Sequence, residues 1–290
     1  GYGVGRQNPR RYYVHRCRED SLVRYAVYRC LYGEDYIQQS IKSIEPYVDK
    51  IFIFYSTRPW GDVSEVVYLN ELIKFPKKFD NILEKIKQLN SSKVIMVEAN
   101  TYSPHNQLTL YINNHVLKNY DRPDTILVTE VDHVFSQRQI ENMIFEFERS
   151  NISTCSSRQI EHWKSPLFRI PERKHRTGAV LWNMKSVDLL PRTGTQANIS
   201  NMPISNYYVH NMGFAVSSKA MYWKHLTALA FSRKIADSLP NERWYEDRWL
   251  SWHIKNNNTN LEISVGREAD IPFAYPYNPK HLPDSLRETL

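Results

Sequence analysis

The feature that most narrows the folds open to this chain is a pair of apolar runs and the segment between them. Residues 22–29 (LVRYAVYR) are rich in β-branched and aromatic residues, and residues 50–55 (KIFIFY) form an almost continuous apolar run, as strands covered on both faces require. Between them Tyr36, Ile37, Ser40, Ile41 and Ile44 recur at helical spacing, and Pro46 ends that segment because it can neither donate an amide nor avoid the preceding turn. Strand, helix and strand in close succession make a βαβ unit, and its two strands must then run parallel.

The alternation continues. Residues 93–98 (KVIMVE) read as a third strand and 106–119 as a helix with Leu108, Ile112, Val116 and Leu117 on one face. Residues 125–129 (TILVT) read as a fourth strand running straight into Glu130 and Asp132. Residues 63–90 are expected to be helical stretches broken at Pro76. The second half is less regular: helices at 137–149, 217–231 and 242–255, strands at 152–156, 178–182 and 261–265, and a proline- and tyrosine-rich loop after Pro272. Residues 1–20 are basic and aperiodic and read as an arm. The fold class is therefore α/β: one domain over residues 21–290, with a mostly parallel central sheet flanked by helices.

Composition removes several alternatives. Of 290 residues, 41% are hydrophobic and 24% charged, which excludes wholesale disorder and a coiled-coil rod. No run reaches the roughly 18–20 apolar residues of a membrane helix, and no export signal is legible. A cytoplasmic protein is expected, with a secretory or Golgi location through a removed N-terminal anchor left open because the chain begins with glycine. Three cysteines, Cys17, Cys30 and Cys155, have no CxxC spacing and suggest neither a disulfide framework nor a thiolate zinc site. Sequons at Asn90, Asn151, Asn198 and Asn257 are no more than an asparagine-rich chain supplies by chance. The net charge of +7 suits nucleic acid, a membrane surface or an anionic small substrate. Its densest basic stretches are residues 6–18 and 169–176. No RNP-like, helix-turn-helix or zinc pattern supports nucleic acid.

Chemistry concentrates at the end of the fourth strand. Glu130 and Asp132 lie two residues apart, so an extended backbone points both carboxylates the same way, at the strand end where an open α/β sheet holds its ligand. Hard oxygens at that spacing suit Mg²⁺ or Mn²⁺ carrying a diphosphate. An acidic pair where a strand meets solvent is also an ordinary arrangement, and spacing alone does not separate the two.

The run from Tyr25 through Gly33, Glu34 and Ile37 to Phe54, followed by Asp124-Thr125-Ile126-Leu127-Val128-Thr129-Glu130-Val131-Asp132, resembles the GT-A nucleotide-sugar glycosyltransferases, particularly their family-2-like group. The resemblance extends over residues 24–281. It implies a Rossmann-like GT-A fold, with residues 21–135 binding the nucleotide-sugar and a less regular acceptor-binding half over 136–290. It also implies that Glu130-Val131-Asp132 is a variant of the DxD motif, with Asp132 the preferred metal ligand and Glu130 its longer, substituted partner. By the same resemblance His210-Asn211-Met212-Gly213 is the glycine-containing donor loop, with a plain strand-to-helix turn as the alternative. Glu246-Asp247 stands where the acidic pair of inverting members supplies the general base, here Asp247, although an acidic helix N-terminus has the same pattern. His281, or else His253, is the further metal ligand. Arg29, Glu34, Ser56, Thr57 and Arg58 would face base, ribose and phosphate.

The expected activity is transfer of a monosaccharide from a UDP- or GDP-sugar, UDP favoured, to a glycan or glycoconjugate hydroxyl, with Mn²⁺ or Mg²⁺ as cofactor. Among 19 tyrosines and 7 tryptophans, Trp182, Tyr207, Tyr208, Trp244 and Tyr245 are candidates for stacking on the acceptor, or for core packing. A non-catalytic carbohydrate- or nucleotide-binding module of the same fold, and a basic nucleic-acid-binding protein, are the competing readings.

Overall fold

The structure is a computed structural model that describes residues 22–99, 106–172, 177–190, 203–235, 241–256, 261 and 273–290. Strands β1 (Arg24–Cys30) and β2 (Lys50–Tyr55) are parallel neighbours, in register from Tyr25↔Lys50 to Cys30↔Tyr55. They are bridged by α1 (Ile37–Ile44), as the apolar spacing requires. Both strands are covered on both faces. Ala26, Tyr28, Cys30, Ile51 and Ile53 point into one core cluster, and Tyr25, Val27, Phe52 and Phe54 into the other.

Of residues 63–90, those before Pro76 depart from the helical expectation. They form a hairpin, β3 (Glu65–Tyr68) and β4 (Glu71–Lys74), before α2 (Asp80–Lys87) begins. Leu69 and Asn70 both adopt positive φ (50° and 68°), the geometry of a two-residue hairpin turn, here without glycine. Strand β5 (Val94–Glu98) then pairs in parallel with β2. Helix α3 (Asn106–Tyr111) continues through a π-helical turn, Ile112–Val116, into α4 (Leu117–Asn119) and covers the second core with Leu108, Ile112 and Val116. Strand β6 (Thr125–Glu130) pairs in parallel with the other side of β1.

The parallel part therefore reads β5-β2-β1-β6 across the sheet, the order of a Rossmann-like half. A short β7 (His133–Val134) and α5 (Gln137–Arg149) follow, α5 placing Ile140, Met143, Ile144 and Phe147 in the first core. Beyond β6 the sheet turns antiparallel through β10 (Thr177–Asn183), β8 (Thr154–Trp163), β9 (Ser165–Arg169) and β12 (Tyr275–Pro276). Strand β11 (Ile204–Phe214) runs parallel to β8 and antiparallel to β7. One mixed, ten-stranded sheet, parallel in its first half and flanked by helices, thus holds the described residues together.

Helix α6 (Ser218–Ile235) follows β11, so the segment 210–217 is the end of a long strand and its turn into a helix. Residues 242–255 hold only a π-helical segment, Tyr245–Leu250, and a single turn, Ile254–Asn256. The tail expected as a loop instead pairs β12 with β9 and ends in α7 (Asp284–Arg287), whose Leu286 packs with Val134, Met212 and Leu282. The basic arm, most of the strand expected at 261–265, residues 173–176 of the basic stretch, Cys17, Asn198 and Asn257 lie outside the described residues. Cys30 and Cys155 are buried free thiols. No helix among the described residues is long and apolar enough to cross a membrane.

Candidate active site

The chain leaves β1 toward β2 on one side, while β6 lies on the other. Between the carboxyl ends of β1 and β6 the connections diverge, and ligands of open α/β sheets bind at such points. Two loops meet there. The one after β1 carries Tyr32, Gly33 and Glu34; the one after β6 carries Val131 and Asp132. Their approach needs a glycine, because a Cβ on Gly33 would lie 2.9 Å from Val131 Cγ2 and 3.1 Å from Asp132 Cβ. Helix α1 fixes the second loop. Ser40 Oγ donates to the His133 carbonyl, and Ser43 Oγ accepts the Phe135 amide at 3.1 Å.

Asp132 is 5% exposed, and its Oδ1 is buried without a hydrogen-bond partner. Glu34 is equally buried and its Oε2 is likewise unpartnered. Burial pushes the Glu34 carboxyl above its ordinary value, and Asp35 adds to this while Lys85 and Lys224 oppose it. Both carboxylates act on the buried Cys30 thiol, which burial, then Glu34 and then Asp132 push well above the usual thiol range. An unpartnered buried carboxylate oxygen costs free energy unless something is to meet it, and here there are two.

The far wall comes from β11 and α6. The Met212 amide donates to the Asp132 carbonyl at 2.8 Å, drawing Gly213 against the acid. Asn211 Oδ1 accepts the Gly213 amide at 2.7 Å, and Asn211 Nδ2 donates to Gln159. A Cβ on Gly213 would stand 3.2 Å from both Asp132 Oδ2 and Lys224 Nζ. A side chain at 213 would therefore have to displace these side-chain ends. Lys224 Nζ donates to the Gly213 carbonyl at 2.9 Å and lies 3.9 Å from Asp132 Oδ2. Lys224 is a site residue that the sequence did not reveal: it is one lysine among many on a helix, with no local pattern to mark it.

The remaining candidates are placed as follows. Glu130 meets Arg29 in an ion pair at 2.6 Å, and the two residues are register partners on β6 and β1. Ser56 and Thr57 are buried after β2, Ser56 Oγ donating to the carbonyl of Arg58, whose side chain is exposed. His210 is buried and turned to His162, Nδ1 to Nε2 at 2.9 Å, with Tyr277 edge-on to both rings. Burial lowers both histidines, His162 to about 4, so the pair is neutral near pH 7.

Asp247 is exposed and paired with Arg243 at 3.0 Å. Glu246 Oε2 is buried on the side of Tyr68, Tyr222 and Tyr245, whose phenols it helps raise. His281 is exposed in a single helical turn, and His253 is exposed with Nδ1 accepting the Lys255 amide. Trp182 and Trp244 are core residues at 3% and 0% exposure, and Tyr245 is buried against Trp249. Tyr207 binds Glu146, and Tyr208 stacks under Arg158.

Among the described residues no three His, Cys, Asp or Glu side chains are grouped to hold a cation. The unpartnered oxygens of Asp132 and Glu34 are hard donors of the kind that Mg²⁺ or Mn²⁺ takes if other oxygens complete the shell.

No protein-family model matches the sequence, and no curated protein matches it. Among solved structures the chain is similar to S. aureus TarS 1-349, with TM-score 0.40 and 8% identity over 84% of this chain and 76% of that one. It is similar to the inositol-1-phosphate CTP transferase from T. maritima, with TM-score 0.37 and 9% identity over 76% of this chain and 99% of that one. It is also similar to glucosyl-3-phosphoglycerate synthase from Mycobacterium tuberculosis in complex with Mn²⁺, UDP and phosphoglyceric acid, with TM-score 0.32 and 13% identity over 48% of this chain and 44% of that one. At such values neither donor, metal nor acceptor carries over to this chain.

Proposed function

We propose that the chain is a glycosyltransferase that moves a monosaccharide from a UDP- or GDP-sugar to a hydroxyl of a glycan or glycoconjugate, with Mn²⁺ or Mg²⁺ at Asp132. The observation that carries this reading is the Asp132 carboxylate: buried, with one oxygen unpartnered, at the sheet's switch point and pressed between Gly33 and Gly213. Asp132 and Glu34 would hold the ion, and the donor diphosphate and water would supply its other ligands. The ion's chemistry is to offset the charge that develops on the departing nucleoside diphosphate.

The chain's own residues do the rest. The Gly213 backbone, free of a side chain, allows the donor close to the carboxylate, while Asn211 fixes that backbone by accepting its amide. Asp247, released from Arg243, is the proposed base that takes the acceptor hydroxyl's proton as the oxygen attacks the anomeric carbon. A single displacement with inversion follows. NMR of the first-formed product tests this step, and a retained anomeric configuration removes Asp247 from the role.

One pair of observations favours a second reading. Glu130 and Asp247 are both engaged by arginines, as in a binding module without turnover. Mn²⁺-dependent transfer or hydrolysis of a UDP- or GDP-sugar that disappears in Asp132→Ala excludes that module. Binding of the nucleotide without any turnover establishes it.

A further inference from the structure

The ammonium of Lys224 is held where a second cation would be felt most strongly. Its Nζ is anchored on the Gly213 carbonyl at 2.9 Å and stands 3.9 Å from Asp132 Oδ2, beyond direct hydrogen bonding. It therefore lends Asp132 charge without satisfying it, and Oδ1 stays unpartnered. Glu34 is within its field as well. Lys224 keeps a quarter of its side chain exposed, so a ligand can reach it from solvent.

The Asp132 carboxylate and the Lys224 ammonium already offset one another, and Glu34, where ionised, adds one negative charge at the switch point. A divalent ion arriving alone would make the site positive beside a fixed ammonium, in surroundings where charges are poorly screened. The same ion arriving with a nucleotide-sugar, or with a nucleoside diphosphate, brings about two or about three compensating negative charges respectively, and Lys224 gains an anionic partner. We infer that Lys224 is a positioning residue that weakens binding of a lone divalent cation and strengthens binding of the nucleoside diphosphate, so that the cation enters with the nucleotide. The nucleotide half of this inference rests on the proposed function; the cation half rests only on the geometry of Lys224 and Asp132.

Titration calorimetry of the full chain separates the two halves, with Lys224→Met and Lys224→Gln removing the charge and Lys224→Arg keeping it. In the first arm MnCl₂ is titrated alone. The charge-removing variants are expected to bind Mn²⁺ at least tenfold more tightly than the parent, and Lys224→Arg within threefold of it. In the second arm UDP, then GDP, is titrated with Mn²⁺ present. The same two variants are expected to bind the preferred nucleotide at least tenfold more weakly, with Lys224→Arg again near the parent. A merely structural lysine would shift both affinities the same way or neither. Unchanged or weaker Mn²⁺ binding in the charge-removing variants, or no Mn²⁺ binding in any protein, overturns the inference. If the parent binds neither nucleotide, the proposed function fails, while the MnCl₂ arm still decides whether Lys224 opposes the cation.

Discussion

Replacing Gly213 by alanine adds one methyl group at the point where the site's charges meet. The new Cβ would lie 2.9 Å from Asn211 Oδ1, 3.2 Å from Asp132 Oδ2 and 3.2 Å from Lys224 Nζ. All three are side-chain ends, so the fold survives, but Asn211 is tethered by the Gly213 amide and by Gln159 and yields little. Crowding of this kind costs about 1–3 kcal/mol, and the stiffer unfolded chain returns about 0.4–1 kcal/mol because Gly213 has no positive φ. A net loss of about 1 kcal/mol is expected, which lowers Tm by roughly 2 °C in a chain of this size. Nucleotide binding should suffer more. Displacing the Asp132 carboxylate and closing the gap beside it is expected to weaken UDP or GDP with Mn²⁺ at least tenfold, about 1.4 kcal/mol. Scanning calorimetry and titration calorimetry read the two effects separately. A Gly213→Ala protein that binds the nucleotide within twofold of the parent would refute the placement of the donor against this backbone.

The buried histidine pair sets an acid limit. Burial lowers both folded-state values, so between the ordinary value of 6.5 and about 4 for His162 the unfolded chain binds more protons, and stability falls as pH falls through that window. The expected slope approaches about 1.4 kcal/mol per pH unit for each histidine, and His162→Gln should flatten it in urea titrations at pH 7.5, 6 and 5. Arg29→Met removes one partner of Glu130 and is expected to cost about 1–3 kcal/mol, while changing nucleotide affinity less than threefold if Glu130 takes no part in binding. A collapse of Mn²⁺-dependent binding in Glu130→Gln would make that carboxylate a ligand. Asp247→Asn is expected to lower kcat at least a hundredfold with donor affinity unchanged, and an unaltered kcat would remove it from the reaction.

The parallel half of the sheet was legible because Ile51, Phe52, Ile53 and Phe54 are all buried, and only a strand covered on both faces asks for such a run. The hairpin was not. Val63, Val66, Val67, Ile73 and the residues around them mimic helical spacing, and the turn at Leu69-Asn70 takes positive φ without the glycine that usually marks it. Strand β11 was obscured by its polar residues, because Asn211 serves the site and His210 hides its polarity in a pair with His162. Asp132 could be singled out because it ends an apolar strand. Local sequence places Glu34 only on the nucleotide side, and its burial beside Asp132's loop follows from the close approach that Gly33 permits. Lys224 and the Ser40–Ser43 brace were invisible, since their meaning lies in contacts to β11 and to the loop after β6 that no local pattern encodes.

The role of Asp132 in metal-dependent nucleotide binding is tested most directly by the melting temperature of the parent and of Asp132→Asn with UDP, GDP, CDP and ADP, each with and without Mn²⁺. Binding to the folded chain at one hundred times Kd is worth about 2.7 kcal/mol. UDP or GDP is expected to raise Tm in a Mn²⁺-dependent way in the parent and to fail to do so in Asp132→Asn. A parent protein whose Tm responds to none of the four nucleotides, or an Asp132→Asn protein that keeps the full Mn²⁺-dependent shift, would contradict that role.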